Sequence, residues 1–201
     1  MPKLIDHPKQ KQAIAEAAWK VIVQQGMQKA SARNIAKEAG ISLGAMRYYF
    51  SAHNDLLAYA NQLAHARLAE KIDSIFQDDL QPKEKILRVL LSLLPSEEGQ
   101  GLETTVRLSL KMAALHAGEK SGNVPDAAYS AAKNVVSYLA LLNLLPKNAE
   151  LEIETERLSA LLDGLVLKAL TNPTQRERAK INKIIRYHLN SISIENFSDA
   201  D

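Results

Sequence analysis

The stretch RNIAKEAGISLGAMRYYF, residues 33–50, decides the local fold of this chain. Gly40 divides it into two short segments, because glycine can adopt the left-handed backbone conformation that a tight turn needs. Ala36 is small where the second segment must approach the first, and Met46 is apolar where it faces that junction. The other apolar residues that face the same small core are Ile35, Ala39, Ile41 and Phe50. The spacing predicts a helix-turn-helix, although any helical hairpin with a glycine turn shares part of the pattern.

Helical spacing of apolar residues dominates the rest of the chain, and no convincing strand alternation occurs. The predicted helices span residues 9–25, 32–39, 43–49, 53–76, 82–94, 102–117 and 125–145, followed by two regular helices on either side of the Asn172–Pro173 break. Ser31 and Ser42 are predicted to cap the second and third helices, and Pro82 to begin the fifth. The sequence therefore predicts an all-α fold.

Composition excludes several classes of protein. The chain has 201 residues, 46% of them hydrophobic, and no cysteine. Disulfides, thiolate metal sites and a cysteine nucleophile are therefore excluded. The N-terminus lacks the apolar core of a secretion signal, and the longest apolar stretches, such as residues 138–145 and 161–170, are too short to span a bilayer. These observations predict a cytoplasmic protein with no membrane partner.

Charge is distributed unevenly along the chain. Residues 1–53 carry eight lysines and arginines against three acidic residues, a net charge of +5, whereas the remainder carries −3. A basic N-terminal segment on a slightly acidic body favours an anionic partner at that end. An asymmetry of this size also occurs in proteins that bind no nucleic acid, so the charge alone does not decide the function.

The residues around the predicted helix-turn-helix resemble the N-terminal domain of the TetR family of transcriptional repressors, over residues 9–59. The residues that carry this resemblance are Gly26, Ser31, Arg33, Ile35, Ala36, Ala39, Gly40, Ile41, Ser42, Gly44, Tyr48, Tyr49, Phe50, Asp55, Leu56 and Leu57. A second stretch, LLDGLVLKALTNP at residues 161–173, is similar to the penultimate helix of the subgroup that includes the repressor BetI.

The resemblance implies a nine-helix, TetR-like protein that binds an inverted-repeat operator as a homodimer, most often as a repressor. It implies a DNA-binding domain at residues 1–52 and a domain for effector binding and dimerisation at residues 53–201. The residues assigned to double-stranded DNA are Ser31, Arg33, Ser42, Leu43, Gly44, Ala45, Arg47, Tyr48, Tyr49 and His53.

Some of these residues suit contacts with bases, and others suit contacts with phosphates. Leu43, Gly44 and Ala45 begin the third helix and offer mainly methyl contacts to thymine, whereas Arg47 can bind guanine or a phosphate. Ser31 and Arg33 lie near the start of the second helix and suit phosphate binding.

Two positions depart from the family pattern, which commonly has tyrosine at residue 47 and lysine at residue 53. If His53 contacts phosphate, operator affinity is predicted to rise below about pH 6.5, where an imidazole is protonated. A simple surface residue at the start of a helix is the equal alternative.

Polar groups on otherwise apolar helices are candidates for an effector pocket: Glu103, Arg107, His116, Tyr129, Tyr138 and Asp163. The apolar Met112 is assigned to the same pocket. Solvent exposure or a satisfied core hydrogen bond is the alternative for each. Only Phe76, Tyr129 and Tyr138 are aromatic between residues 61 and 170, so the sequence lacks the aromatic cage that a quaternary ammonium ligand such as choline favours. A lipophilic small molecule of unknown identity is therefore expected, with the 55–67 stretch of the fourth helix linking the pocket to the DNA-binding domain.

The last two helices have broad apolar stripes that must be buried. The predicted dimer contacts are Leu158, Leu161, Leu165, Ile181, Ile185, His188 and Leu189, and small residues at 160 and 164 would permit close helix approach. A purely internal core is the alternative.

No enzymatic constellation is found. The five histidines, at residues 7, 53, 65, 116 and 188, are scattered and have no metal-ligand spacing. No glycine-rich phosphate loop or nucleophile elbow occurs. The sequence therefore predicts no enzyme activity, no metal site and no cofactor, with a helical adaptor that does not bind DNA as a third class.

Overall fold

A computed structural model of the protein describes residues 7–95, 101–116, 118 and 126–197. These ranges contain nine α-helices, one short 3₁₀ helix and no strand. The helices are α1 (His7–Gln25), α2 (Ala32–Glu38), α3 (Leu43–Tyr49), α4 (His53–Gln77), α5 (Pro82–Ser92), α6 (Gly101–His116), α7 (Ala127–Leu141), α8 (Leu151–Thr171) and α9 (Gln175–Ile192), with the 3₁₀ helix at Met27–Lys29. The predicted all-α class is confirmed.

Helix ends follow local capping. Pro82 lies in the first turn of α5, as predicted. Helix α7 begins at Ala127, where the Asp126 side chain accepts a hydrogen bond from the Tyr129 amide, whereas the predicted first residue, 125, lies outside the described residues. It ends at Leu141, four residues before the predicted end, because Asn143 adopts a left-handed conformation with φ 55°.

The chain forms two compact units, which are described separately. Unit 1 contains α1 to α3, α4 as far as Arg67, and α6; unit 2 contains the remainder of α4 from Leu68, together with α5, α7, α8 and α9. The functional division predicted at residue 52 is a different one and stays a prediction.

Unit 1 is built around the N-terminal helices. Its fully buried side chains include Ile14 and Trp19 of α1, Ile35 of α2 and Leu56 of α4. Helix α6 joins this core through Val106, which is completely buried. A helix that the sequence assigned to the C-terminal domain therefore packs against the N-terminal helix α1.

Unit 2 buries the broad apolar stripes of its last two helices internally. Five of the seven predicted dimer residues lie in this core, at most 4% exposed: Leu158, Leu165, Ile181, Ile185 and Leu189. Leu161 and His188 are half-buried. The five core side chains pack within their own chain, as in the internal-core alternative, and the predicted dimer interface stays a prediction.

The opposite faces of α8 and α9 are the exposed ones. Their exposed residues include Ala160, Asp163, Gly164 and Leu167 on α8, and Lys180, Lys183 and Tyr187 on α9.

Candidate nucleic-acid interface

The turn between α2 and α3 is set by Gly40, which has φ 66°. The Ile41 amide donates to the Ala36 carbonyl at 3.0 Å, and the Gly40 amide donates to the Lys37 carbonyl at 3.2 Å. These two bonds satisfy carbonyls at the end of α2 in a Schellman motif. Because a side chain at φ 66° is strained, glycine fixes the angle at which α3 leaves α2.

Both short helices begin with a serine cap. The Ser31 hydroxyl accepts a hydrogen bond from the Asn34 amide at 3.3 Å, and the Ser42 hydroxyl accepts one from the Ala45 amide at 3.0 Å. Both serines are exposed, so each hydroxyl hydrogen can still be donated outwards. The predicted caps are confirmed, and they place the amide ends of both helices at the surface.

Helix α3 has one buried side and one open side. Met46 is buried against the core of unit 1, and Phe50 just after the helix is buried as well. Gly44, Ala45, Arg47 and Tyr48 are all exposed, and the next residue, Tyr49, is half-buried. Arg33 on α2 is also exposed. The open side of α3 thus combines small residues with one arginine and one tyrosine.

An aromatic cluster joins the start of α1 to α3. The ring of His7 lies 5.3 Å from the ring of Tyr48 and 5.2 Å from that of Tyr49, between ring centroids. The Tyr48 hydroxyl, on a side chain that is 71% exposed, makes a 3.3 Å hydrogen bond with His7 Nε2. The sequence pattern does not predict this contact, because the two residues are 41 positions apart in the chain.

The start of α4 is capped by Asp55. Its carboxylate accepts hydrogen bonds from the Ser51 hydroxyl at 2.7 Å and the Ala52 amide at 3.0 Å. The hydrogen bond from Ser51 lowers the pKa of Asp55 most, and the hydrogen bond from the Ala52 amide lowers it further below its ordinary value. Nδ1 of the adjacent His53 is buried and has no hydrogen-bond partner within the described part of the chain.

A charged network ties α1, α4 and α6 together inside unit 1. Arg67 of α4 donates hydrogen bonds to Glu16 of α1 and, at 3.3 Å, to Glu103 of α6. Its guanidinium also lies 4.8 Å from the ring centroid of Trp19, whose indole N–H donates to the Ala60 carbonyl at 3.0 Å. Arg67 therefore connects α6 to α1.

The predicted effector residues fall in both units. Arg107, Met112 and His116 lie on α6 in unit 1, where His116 Nδ1 is 2.7 Å from the Met112 carbonyl oxygen. Tyr129, Tyr138 and Asp163 belong to unit 2. Asp163 is exposed there, on the outer face of α8. Burial lowers the pKa of Arg107, and the negative charge of Glu103 partly opposes that shift.

The described residues contain no cluster of three or more histidines or carboxylates suited to a metal ion. Among the described helices, none is long and apolar enough to cross a membrane.

Comparison with known proteins identifies the family. Residues 14–60 match the family described as bacterial regulatory proteins, tetR family, and residues 82–193 match the C-terminal region of BetI-type transcriptional repressors. A relative from Bacillus subtilis (strain 168), the HTH-type transcriptional regulator PksA, is 44% identical over 195 residues, covering 97% of this chain and 95% of that protein.

Solved structures show the same fold. A transcriptional regulator from Rhodococcus sp. Rha1 has a TM-score of 0.77 at 21% identity, covering 90% of this chain and 95% of that one. A transcriptional regulator from Saccharomonospora viridis, solved in complex with choline, has a TM-score of 0.71 at 22% identity and covers 94% of this chain and 100% of its own. The matched relatives are transcriptional regulators rather than enzymes. The helix-turn-helix geometry and these matches together show that the chain belongs to the TetR family of DNA-binding transcriptional regulators.

Proposed function

We propose that this regulator is a ligand-responsive repressor, which binds an inverted-repeat operator as a homodimer and places α3 of each subunit in the major groove. The observation that carries the proposal is the open side of α3, where Arg47 and Tyr48 project beyond the small residues Gly44 and Ala45. Small residues let a helix lie deep in the groove, and an arginine there can donate two hydrogen bonds to guanine. The regulator acts on chromosomal DNA, so we infer a cytoplasmic location.

The phosphate contacts are assigned to the flanks of α3. Ser31 and Arg33 at the start of α2 and Ser42 at the start of α3 lie where exposed amides and hydroxyls can donate to phosphate oxygens. Leu43 offers methyl groups to thymine. Tyr49 supports Tyr48 through a ring distance of 5.3 Å, and His53 stands at the first position of α4.

Arg47→Ala tests base reading. We expect wild-type protein to protect an inverted repeat in the DNA that flanks its own gene, with the variant losing about tenfold or more in affinity and discriminating less at one base pair of each half-site. Arg88→Ala, on an exposed arginine of α5, is the matched control and leaves the footprint unchanged. Absence of any protected inverted repeat at moderate salt would contradict the proposal.

Dimerisation is assigned to the outer faces of α8 and α9. Gly164 lies in the middle of α8, and a Cβ there would meet nothing within 4 Å in the isolated chain. A glycine in the middle of a helix destabilises the fold by about 0.5–1 kcal/mol relative to alanine. Close approach by a second helix explains why glycine stands at this position. Ala160 lies one turn before Gly164 and Leu167 one turn after it, and both are exposed on α8, while Tyr187 is exposed on α9. Together they supply small and apolar surface for a second copy.

Effector response is assigned to a small molecule with a substantial apolar part. An effector that binds more tightly to the form with low operator affinity shifts the equilibrium towards that form. The largest possible shift is the ratio of the effector's affinities for the two forms. Tyr129 and Tyr138 are half-buried in unit 2, and Tyr138 packs edge-on against Phe76 at 5.9 Å between ring centroids. These rings are the candidates for effector contact in unit 2, and the α6 residues Arg107, Met112 and His116 are the candidates in unit 1. The exposure of Asp163 argues for the dimer face instead.

A further inference from the structure

Arg107 is a partly buried cation of unit 1 that makes no ion pair with the described residues. It is partly buried on α6, and its guanidinium donates one recorded hydrogen bond, at 3.2 Å, to the neutral hydroxyl of Thr104. Within the described residues, no carboxylate oxygen lies within 4.0 Å of it, since the nearby Glu103 is bound to Arg67 instead. A partly desolvated cation without an ion pair is costly, and a bound anion removes that cost.

The surface beside Arg107 is apolar. Leu108, Met112 and Leu115 follow one another at helical spacing on the adjacent face of α6, and the latter two are exposed. No aromatic residue other than a histidine occurs in α6, so this helix offers no ring to a quaternary ammonium group. The positive charge of Arg107 also repels such a cation.

We propose that Arg107 binds the anionic head of the effector, so that the effector is an anionic amphiphile whose apolar body lies along the Leu108–Met112–Leu115 stripe of α6. This inference rests on the ligand response proposed above and names the chemical class of that ligand. The guanidinium fork fits either a carboxylate or a phosphate through two parallel N–H···O bonds. A choline-like effector is thereby disfavoured for this chain, although a regulator of similar fold was solved with choline.

The position of Arg107 gives the anion a route to the DNA-binding segment. Glu103 precedes it by one helical turn and holds Arg67, which also binds Glu16 of α1. An anion bound at Arg107 therefore lies one helical turn from the ion pairs that join α6 to α1 through Arg67.

Three probes with the same ten-carbon alkyl chain test the head group: undecanoate, decyl phosphate and decyltrimethylammonium. Binding is measured below micelle-forming concentrations by calorimetry, without DNA, on the full chain. We expect one or both anions to bind and the cation to bind at least about tenfold more weakly. Their ranking distinguishes a carboxylate from a phosphate ligand. Equal or tighter binding of the cation, or no binding of either anion, overturns the inference.

Arg107→Met separates a ligand contact from a structural role. We expect this variant to lose about tenfold or more in anion affinity while its ligand-free melting temperature stays equal or rises, because the unpaired cation is removed. Arg107→Lys keeps the charge without the fork and binds with intermediate affinity. A lower melting temperature for Arg107→Met assigns the residue to structure and overturns the inference.

Lys111→Met is the matched control, one turn further along α6. An equal loss of affinity there means general attraction to a basic helix, and this outcome also contradicts a specific Arg107 site. Operator binding is measured separately on the same variants. Intact operator binding with failed anion binding overturns only this inference, whereas a wild-type protein that binds no operator overturns the proposed function.

Discussion

The outer side of α3 and the outer faces of α8 and α9 are both exposed, yet their chemistry differs. On α3, Arg47 and Tyr48 are exposed beside the small residues Gly44 and Ala45. On α8 and α9, Gly164 and Leu167 belong to a surface in which small and apolar residues lie between charged ones. The first arrangement suits a polyanion and the second suits a protein, because protein interfaces have an apolar centre with a polar rim.

Leu167→Arg is expected to have the largest effect. The leucine is 55% exposed on α8, so the substitution disturbs little within the chain but places a charge in the proposed dimer contact. Loss of the dimer removes the second half-site from each binding event, which lowers operator affinity by about a hundredfold or more. Sedimentation and a gel shift measure the two consequences.

Leu141→Arg is the control for that experiment, since this leucine is 75% exposed at the end of α7. It is expected to remain dimeric and to bind the operator normally. If both variants behave alike, or if Leu167→Arg stays a dimer, the assignment of the outer face of α8 is wrong.

Gly40 of unit 1 and Gly164 of unit 2 have different roles, and substitution of each by alanine distinguishes them. Gly40→Ala forces a side chain into φ 66° and is expected to lower the free energy of unfolding by about 1 kcal/mol or more. Gly164→Ala meets nothing within 4 Å in the isolated chain, so helix propensity favours it by about 0.5–1 kcal/mol, while the dimer dissociation constant rises. Chemical denaturation and sedimentation check these opposite signs; an unchanged dimer in Gly164→Ala means that no helix approaches that residue closely.

Local pattern explains why the helix-turn-helix is predictable, whereas an apolar stripe alone does not decide between a core and an interface. Gly40 sets a turn and Ser42 caps a helix through contacts with residues only a few positions away, so both roles can be predicted from the sequence. The apolar stripe of α9 has the same periodicity whether it faces its own chain or a partner, and Ile185 and Leu189 face their own chain. The broadest apolar stripe of α9 therefore indicates the core of its own chain, and the proposed dimer contact uses the residues that remain exposed.

Distant pairs carry no periodic signal at all. Arg67 and Glu103 are 36 positions apart, and their contact depends on α6 packing with α1 inside unit 1. The division of the chain predicted at residue 52 places α6 with those helices, so it cannot reveal this connection. Only the three-dimensional arrangement shows that a candidate effector helix touches the DNA-binding segment directly.

His7 tests whether α1 supports the reading side of α3. His7→Ala removes the rings' contacts and the hydrogen bond to Tyr48, and we expect operator affinity to fall by about 0.5–1.5 kcal/mol, or severalfold. His7→Phe keeps a ring against Tyr48 and Tyr49 and recovers part of the loss, whereas Tyr48→Phe removes only the hydroxyl. Identical affinity in all three variants, measured by fluorescence anisotropy, would leave the cluster without a role in DNA binding.

Asp55→Asn is expected to have the smallest effect, and one that depends on pH. The hydrogen bonds from Ser51 and Ala52 lower the pKa of Asp55 in the folded protein, so its carboxylate stabilises the fold at pH values above the unfolded pKa of about 3.9. That contribution is lost as the pH falls through the lowered folded pKa. The variant should therefore melt slightly below wild type at neutral pH, and the two melting temperatures should converge in acid. Because the carboxylate is exposed, the difference at neutral pH stays small, and a difference that grows on acidification would mean that Asp55 caps α4 as a neutral acid, without the charge that makes the cap favourable at the amide end of a helix.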